Sequence, residues 1–233
     1  PVIRWKGFEQ VNINTVGNPD EVTDELWNSY YTSISACNTL IKIIGENTKL
    51  SPDELSPIGG EAHFLRAFNY FQLVRWFGEV PLLTEENQDN AAKEPQASVA
   101  RIYEQIVSDL KNAELTLPLS QDDPSRPSRW ALLAKVYLTM AGFPLNETSC
   151  YALARDKANE VISEKVYTLE KVYSQLWLWS NRKINSEFIF ALYASSDNAT
   201  GSYIHQAVRP TDHGENGWAD WTSDKRFLET FPV

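Results

Sequence analysis

Between residues 60 and 77 the chain places His63, Arg66, Asn69, Gln72 and Arg75 at every third position of an otherwise largely apolar run. Each step of three residues stops about 60° short of a full helical turn, so these side chains wind around the axis instead of sharing a face. A helix left without one solvent face has to be surrounded by other helices. Gly78 ends the run, and Val80-Pro81-Leu82 leaves it as an extended exit. The segment predicts the inner helix of a helical array.

The flanking sequence supplies its partners. Asn18 and Pro19 form a cap and a first-turn proline, followed by Asp20, Glu21, Asp24 and Glu25 at the positive end of the helix dipole. Trp27, Tyr30, Tyr31, Ile34, Cys37, Ile41 and Ile44 then keep helical spacing as far as Gly45. Residues 46–57 read as a polar connection and residues 84–97 as a loop. Ser98 caps a third helix running to about Leu117, with Tyr103, Ile106, Val107, Leu110 and Ala113 on one stripe. Pro118 stops it, and residues 120–127 read as a further loop.

A fourth helix, expected from near Ser128, carries Trp130, Leu133, Ala134 and Tyr137 at the spacing of a tetratricopeptide first helix. Beyond Gly142 and Pro144, the small residues Ala154 and Ala158, with Val161, predict its partner. Trp27, Tyr30, Tyr31 and Ile34 give a weaker echo of the same pattern. Unequal loops make this an irregular solenoid. The expected fold class is all-α, an irregular tetratricopeptide-like helical superhelix decorated by long loops with little β. Residues 187–193 read as a strand, and Trp177 and Trp179 alternate with Leu176 and Leu178, so one of the two tryptophans is expected to pack inward. From Ala194 onward Gly, Asn, Asp and Ser are interleaved with Tyr203, His205, Trp218 and Trp221. The halt at Phe231-Pro232-Val233, after an incipient helix over 223–231, reads as a truncation.

The net charge is −10 and no Lys/Arg-rich block occurs, which weighs against nucleic acid as a partner. The two cysteines, Cys37 and Cys150, lie far apart with no CxxC neighbour and are expected to be free thiols, Cys37 as a small buried hydrophobe of its helix. No stretch reaches transmembrane length, and the opening Pro1-Val2-Ile3-Arg4-Trp5 is not a signal peptide.

Three segments resemble the SusD/RagB family of Bacteroidetes lipoproteins. Residues 60–67 (GEAHFLRA) through 76–82 (WFGEVPL) are similar to that family's GEA-x-FLRA…FG-x-VPL block, residues 102–118 to its Y-x-x-I-x-x-DL…A…LP helix, and residues 131–138 to its ALLA-x-VYL helix. The resemblance implies one SusD-like domain over 1–233, with a helical scaffold over 18–165 and a loop-rich, ligand-side region over 181–233. It further implies a non-catalytic outer-membrane lipoprotein. Such a protein faces outward, binds a glycan and delivers it to a SusC-like TonB-dependent transporter. Membrane contact would run only through a lipid anchor on a cysteine this sequence does not carry. No cofactor is implied.

The candidate ligand site combines Trp218, Trp221, Trp5 and Tyr203 with Asn216, Asp220 and Arg209. An aromatic ring packs on the C–H face of a pyranose, while amides, carboxylates and guanidinium groups bind its hydroxyls. The competing expectation is that these tryptophans fill a seam between loops and helices. A second function fits the same scaffold: a tetratricopeptide-type protein–protein interaction module. A glycosidase would need two carboxylates across one bond, and Glu215 and Asp220 lack a cleft scaffold for that work. No GxSxG, GxGxxG or P-loop occurs, and the three histidines have no zincin spacing. Asp212, Glu215, Asn216, Asp220 and Asp224 lack EF-hand spacing for calcium, so no metal site is expected. Glu61 and Arg66 are expected to be buried charges satisfied by neighbouring helices, and His63 an ordinary helix residue.

Overall fold

The computed structural model describes residues 21–47, 49–119, 128–129, 132–181 and 186–191. Nearly all of these belong to one compact unit, Trp27–Ala191. Five helices carry it: α1 (Glu21–Glu46), α2 (Pro52–Phe77), α3 (Val99–Thr116), α4 (Leu133–Met140) and α5 (Cys150–Glu164). Among the described residues the only sheet is a two-residue antiparallel ladder, with Val80 opposite Ala97 and Pro81 opposite Gln96. The all-α expectation holds.

Helix α2 begins earlier than its apolar run suggests. Residues 52–57, expected to be connection, are its first turns. Ser51 caps the helix: its hydroxyl accepts from the Glu54 N–H while the Glu54 carboxylate accepts from the Ser51 N–H at 2.9 Å. Pro52 occupies the first turn, where its missing N–H costs nothing. Pro57 sits inside the helix and leaves the carbonyl four residues back unpaired, but Asp53 is exposed and water can reach it. The end is as predicted. Gly78 takes φ +72°, a left-handed conformation suited to glycine, and its N–H bonds back to the Val74 carbonyl.

From Gly60 to Val74 no residue of α2 is exposed. Phe64, Ala67, Tyr70, Phe71 and Leu73 are almost fully buried, as a surrounded helix requires. Its close neighbour is α3, and there is no room between them for a side chain at Gly60: a Cβ there would lie 2.2 Å from Thr116 Oγ1 and 3.1 Å from two carbons of the Leu117 side chain. Helix α3 starts where expected, with the Ser98 hydroxyl accepting from the Arg101 N–H, and buries Ile102, Tyr103, Ile106, Leu110 and Ala113. Helix α1 adds Trp27, whose ring lies 4.9 Å from Tyr31 and 5.1 Å, edge-on, from Phe77.

Helices α4 and α5 form the second packed pair, with Cys150 and Ala154 of α5 buried. The fourth helix begins at Leu133, not near Ser128. Ser128 is instead a buried anchor whose hydroxyl shares a 2.8 Å hydrogen bond with Tyr167. Trp130 lies outside the described residues, as do the side chains of Trp177 and Trp179. Both cysteines are free and buried. Burial pushes the Cys37 thiol up to about 11, so it is protonated and inert at neutral pH.

Residues 187–191 do not form the expected strand. Phe190 leaves the backbone path to pack edge-on against Phe64 at 5.0 Å and Phe68 at 5.7 Å, both on α2. The Glu187 carboxylate accepts from the Glu170 N–H at 2.7 Å, and the Ser186 carbonyl accepts from the Thr168 N–H at 3.1 Å. These bonds hold the segment against another irregular stretch. Within the apolar run 188–191, Phe190 is accounted for by its contact with α2 and not by strand pairing.

Candidate functional site

Every residue expected to contact ligand, namely Trp218, Trp221, Trp5, Asn216, Asp220, Arg209 and Tyr203, lies outside the described residues. The polar constellation within them centres on Arg66, in the middle of α2 and 2% exposed. Its Nε donates to Asp109 Oδ2 at 2.8 Å and its Nη2 to Asp109 Oδ1 at 2.7 Å, a two-pronged match of guanidinium to carboxylate. Its Nη1 donates to Asn38 Oδ1 at 2.8 Å and also pairs with Glu85. One side chain thus ties together α1, α2, α3 and the loop that follows the extended exit.

Asp109 collects further donors. The His63 Nδ1 lies 2.8 Å from its Oδ1, and the Gln105 amide donates to the same oxygen at 3.2 Å. Burial alone would raise the Asp109 carboxyl. Hydrogen bonds from His63 and Arg66, with the Arg66 charge, outweigh it and hold the group below the ordinary carboxylate value. Arg66 is desolvated as well, yet its bonds to Asp109 and Glu85 hold it firmly charged. An ionised Asp109 accepts only, so His63 presents its proton on Nδ1. His63 is therefore more than a helix residue. It closes the network from the solvent side, with its side chain 20% exposed. Glu61 is only partly buried, so the expectation of two buried charges holds for Arg66 alone.

The loop after Val80-Pro81 is strapped to this hub. Tyr70 donates its hydroxyl hydrogen to the Leu83 carbonyl at 2.8 Å and accepts from the Leu83 N–H at 2.7 Å. Asn38 donates to the same carbonyl at 3.1 Å, and Tyr31 to the Pro81 carbonyl at 2.7 Å. Asn87 folds the tip, accepting from the Thr84 N–H at 2.7 Å and donating to the Leu82 carbonyl at 3.0 Å. Four side chains thereby satisfy the backbone of a segment that belongs to no sheet beyond Pro81.

Between this strap and the first half of α3 lies a cavity of about 260 Å³, lined by Leu82, Thr84, Glu85, Glu86, Asn87, Arg101 and Gln105. A second, more apolar hollow of about 540 Å³ opens where α1, the start of α2 and the end of α3 meet, and His63 lines it beside Ile44, Leu55 and Leu115. Among the described residues no group of three or more His, Cys, Asp or Glu side chains is disposed to hold a metal ion. No described helix is long and apolar enough to cross a membrane.

Paired helices, a surrounded second helix and loops tied to an internal arginine describe a scaffold that presents loops. Comparison with known proteins agrees. Residues 4–138 match the family model SusD-like, described as "Starch-binding associating with outer membrane". A SusD-like protein of Formosa agariphila is 32% identical over 145 residues, covering 58% of this chain and 28% of that protein. A SusD-like protein of Bacteroides ovatus is 30% identical over 184 residues, covering 74% and 33%. The crystal structure of a SusD superfamily protein from Parabacteroides distasonis superposes with a TM-score of 0.84 at 31% identity, covering 97% of this chain and 49% of that one. The chain belongs to the SusD-like family. It spans about a third of the length of these curated relatives.

Arg66, Asp109 and Glu85 form a group that sequence reasoning did not assemble. A signal for half of it exists: Ile102, Ile106, Asp109 and Ala113 share the buried stripe of α3, so Asp109 is an acid on an apolar face and demands a cationic partner. Nothing in the sequence marks Glu85, because its approach depends on the path of the strap.

Proposed function

We propose that this chain is the helical scaffold of a non-catalytic glycan-binding protein that faces outward from the outer membrane. The observation that carries the reading is the match of residues 4–138 to a starch-binding, outer-membrane-associating family. In this reading the scaffold over 18–165 positions a ligand-side region over 181–233. Its Trp218, Trp221 and Tyr203, together with Trp5 from the start of the sequence, offer ring faces to a sugar, and Asn216, Asp220 and Arg209 bind its hydroxyls. The bound glycan then passes to a SusC-like TonB-dependent transporter, with a lipid as the membrane tether. Consistent with binding and not catalysis, the two carboxylates nearest the hub, Asp109 and Glu85, are both engaged by Arg66. Asp109, buried and held ionised by His63 and Arg66, has no proton to donate to a glycosidic oxygen.

The test is retention of the full-length protein by immobilised amylopectin, with a panel of oligosaccharides incubated in parallel. Retention that falls at least about tenfold in Trp218→Ala, without release of shorter sugars, supports the reading. Release of products would make the protein a hydrolase. Undiminished retention in the variant would remove Trp218 from the site.

A further inference from the structure

The cavity of about 260 Å³ beneath the strap lies in the helical part of the chain, apart in sequence from the aromatic residues assigned above. We propose that it is a separate subsite for a single neutral sugar ring, gripped by its hydroxyls. The proposal rests on the glycan-binding reading and adds to it a second place on the same chain.

Size sets the first limit. The volume falls below the range of about 300–1,000 Å³ typical of sites for drug-sized ligands, which leaves room for one ring and not for a chain of them. The chemistry of the walls sets the second. A sugar hydroxyl donates one hydrogen bond and accepts others, so its site needs both kinds of partner close together. Glu85 and Glu86 offer acceptors, Arg101 offers donors, and Gln105 and Thr84 offer both. Leu82 alone is apolar, so the ring would be held by its edge and not by stacking. Glu85, Glu86 and the neighbouring Glu104 outnumber Arg101, which sits 3.0 Å from Glu104. That balance disfavours phosphorylated or carboxylated sugars.

The third argument is fixity. Glu85 is held from behind by Arg66, and Gln105 by Asp109. Thr84 and Asn87 are locked to each other across the turn. Side chains already immobilised lose little entropy when a ligand arrives. The buried ion pair of α2 and α3 therefore has a second consequence: it fixes two walls of this cavity, one on the loop and one on the helix.

The experiment is NMR of the selectively labelled Asn and Gln side-chain amides in the full-length protein, titrated with D-glucose to about 50 mM. Saturating shifts of the Gln105 and Asn87 amides are expected. The midpoint should move upward by about threefold or more in Arg101→Ala, a change at an exposed position that leaves the hub intact. It should not move in Trp218→Ala. Absence of saturating shifts at these amides overturns the subsite, as does their loss in Trp218→Ala. Amylopectin retention without amide shifts removes the subsite and keeps the glycan reading. Amide shifts without retention keep the subsite and remove that reading.

Discussion

Asp109 meets Arg66 with both carboxylate oxygens, at 2.8 Å to Nε and 2.7 Å to Nη2, and both partners are almost completely removed from water. The pair joins the centre of α2 to the buried stripe of α3. A buried ion pair contributes less to stability than its Coulomb attraction suggests, because both charges were desolvated to form it. Its loss is another matter, since one partner without the other is an uncompensated internal charge.

That asymmetry gives the first prediction. Arg66→Met or Asp109→Leu alone is expected to cost about 3–5 kcal/mol in chemical denaturation. The double substitution should cost clearly less than the sum of the two. Additive losses would show that the pair is not a coupled unit, and that Asn38, Glu85 and His63 dominate instead.

Acid should weaken the same contact. The Asp109 carboxyl is held below its ordinary value of 3.8 in the folded protein because donors from His63 and Arg66 outweigh the effect of burial. A carboxyl lowered on folding contributes stability that is fully present above the unfolded value, and that is lost as pH falls through the folded one. Wild-type protein should lose stability progressively below about pH 4. Asp109→Asn, weaker at neutral pH, should show a shallower decline over that range in urea melts. Parallel curves would assign the acid sensitivity to other carboxylates.

The strap offers a more local test. Tyr70 satisfies both backbone groups of Leu83 with one hydroxyl. Tyr70→Phe keeps the buried ring, leaves the Leu83 carbonyl with Asn38, and orphans the Leu83 N–H. A loss of about 1–3 kcal/mol is expected. It should be accompanied by faster amide exchange over residues 82–87, with exchange in the middle of α3 unchanged at equal stability. Because Thr84, Glu85 and Asn87 line the cavity under the strap, the variant should also loosen that cavity.

The parts of the fold written in local order were readable from the sequence, and those set by distant contacts were not. The burial of residues 60–74 follows from polar spacing alone, because a spiral of hydrophilic side chains leaves no dry face to lean on and no wet one to expose. Ser51-Pro52-Asp53-Glu54 carried its own start signal, yet the surrounding polar residues made it resemble a connection. Phe188 to Ala191 is short and apolar, and such a run is equally at home in a strand or as a loop plugging a helical surface. Only the proximity of Phe64 and Phe68 decides between them. The hub lay between these extremes: Asp109 was not singled out, although its place among Ile102, Ile106 and Ala113 is a signal that could have found it, whereas Glu85 reaches Arg66 through a loop path that no periodicity encodes.

Adjacent glycines at the start of the buried stretch separate packing from propensity. At Gly60 an added methyl would sit 2.2 Å from Thr116 Oγ1 and 3.1 Å from the fully buried Leu117 side chain. Thr116 cannot rotate freely out of the way without giving up its 3.1 Å bond to the Asn112 carbonyl. At Gly59 the same methyl meets only Ile44 Cδ1, at an ordinary 3.8 Å. Gly60→Ala should therefore destabilise by about 1–3 kcal/mol through forced separation of α2 and α3. Gly59→Ala should stabilise by about 0.5–1 kcal/mol, because alanine loses less backbone entropy in a helix. Thr116→Ala in the Gly60→Ala background should restore only part of the loss, since the Leu117 contact persists. Thermal melts of the four proteins decide the matter. Equal effects at the two glycines would mean that the helices do not cross as closely at Gly60 as this packing requires.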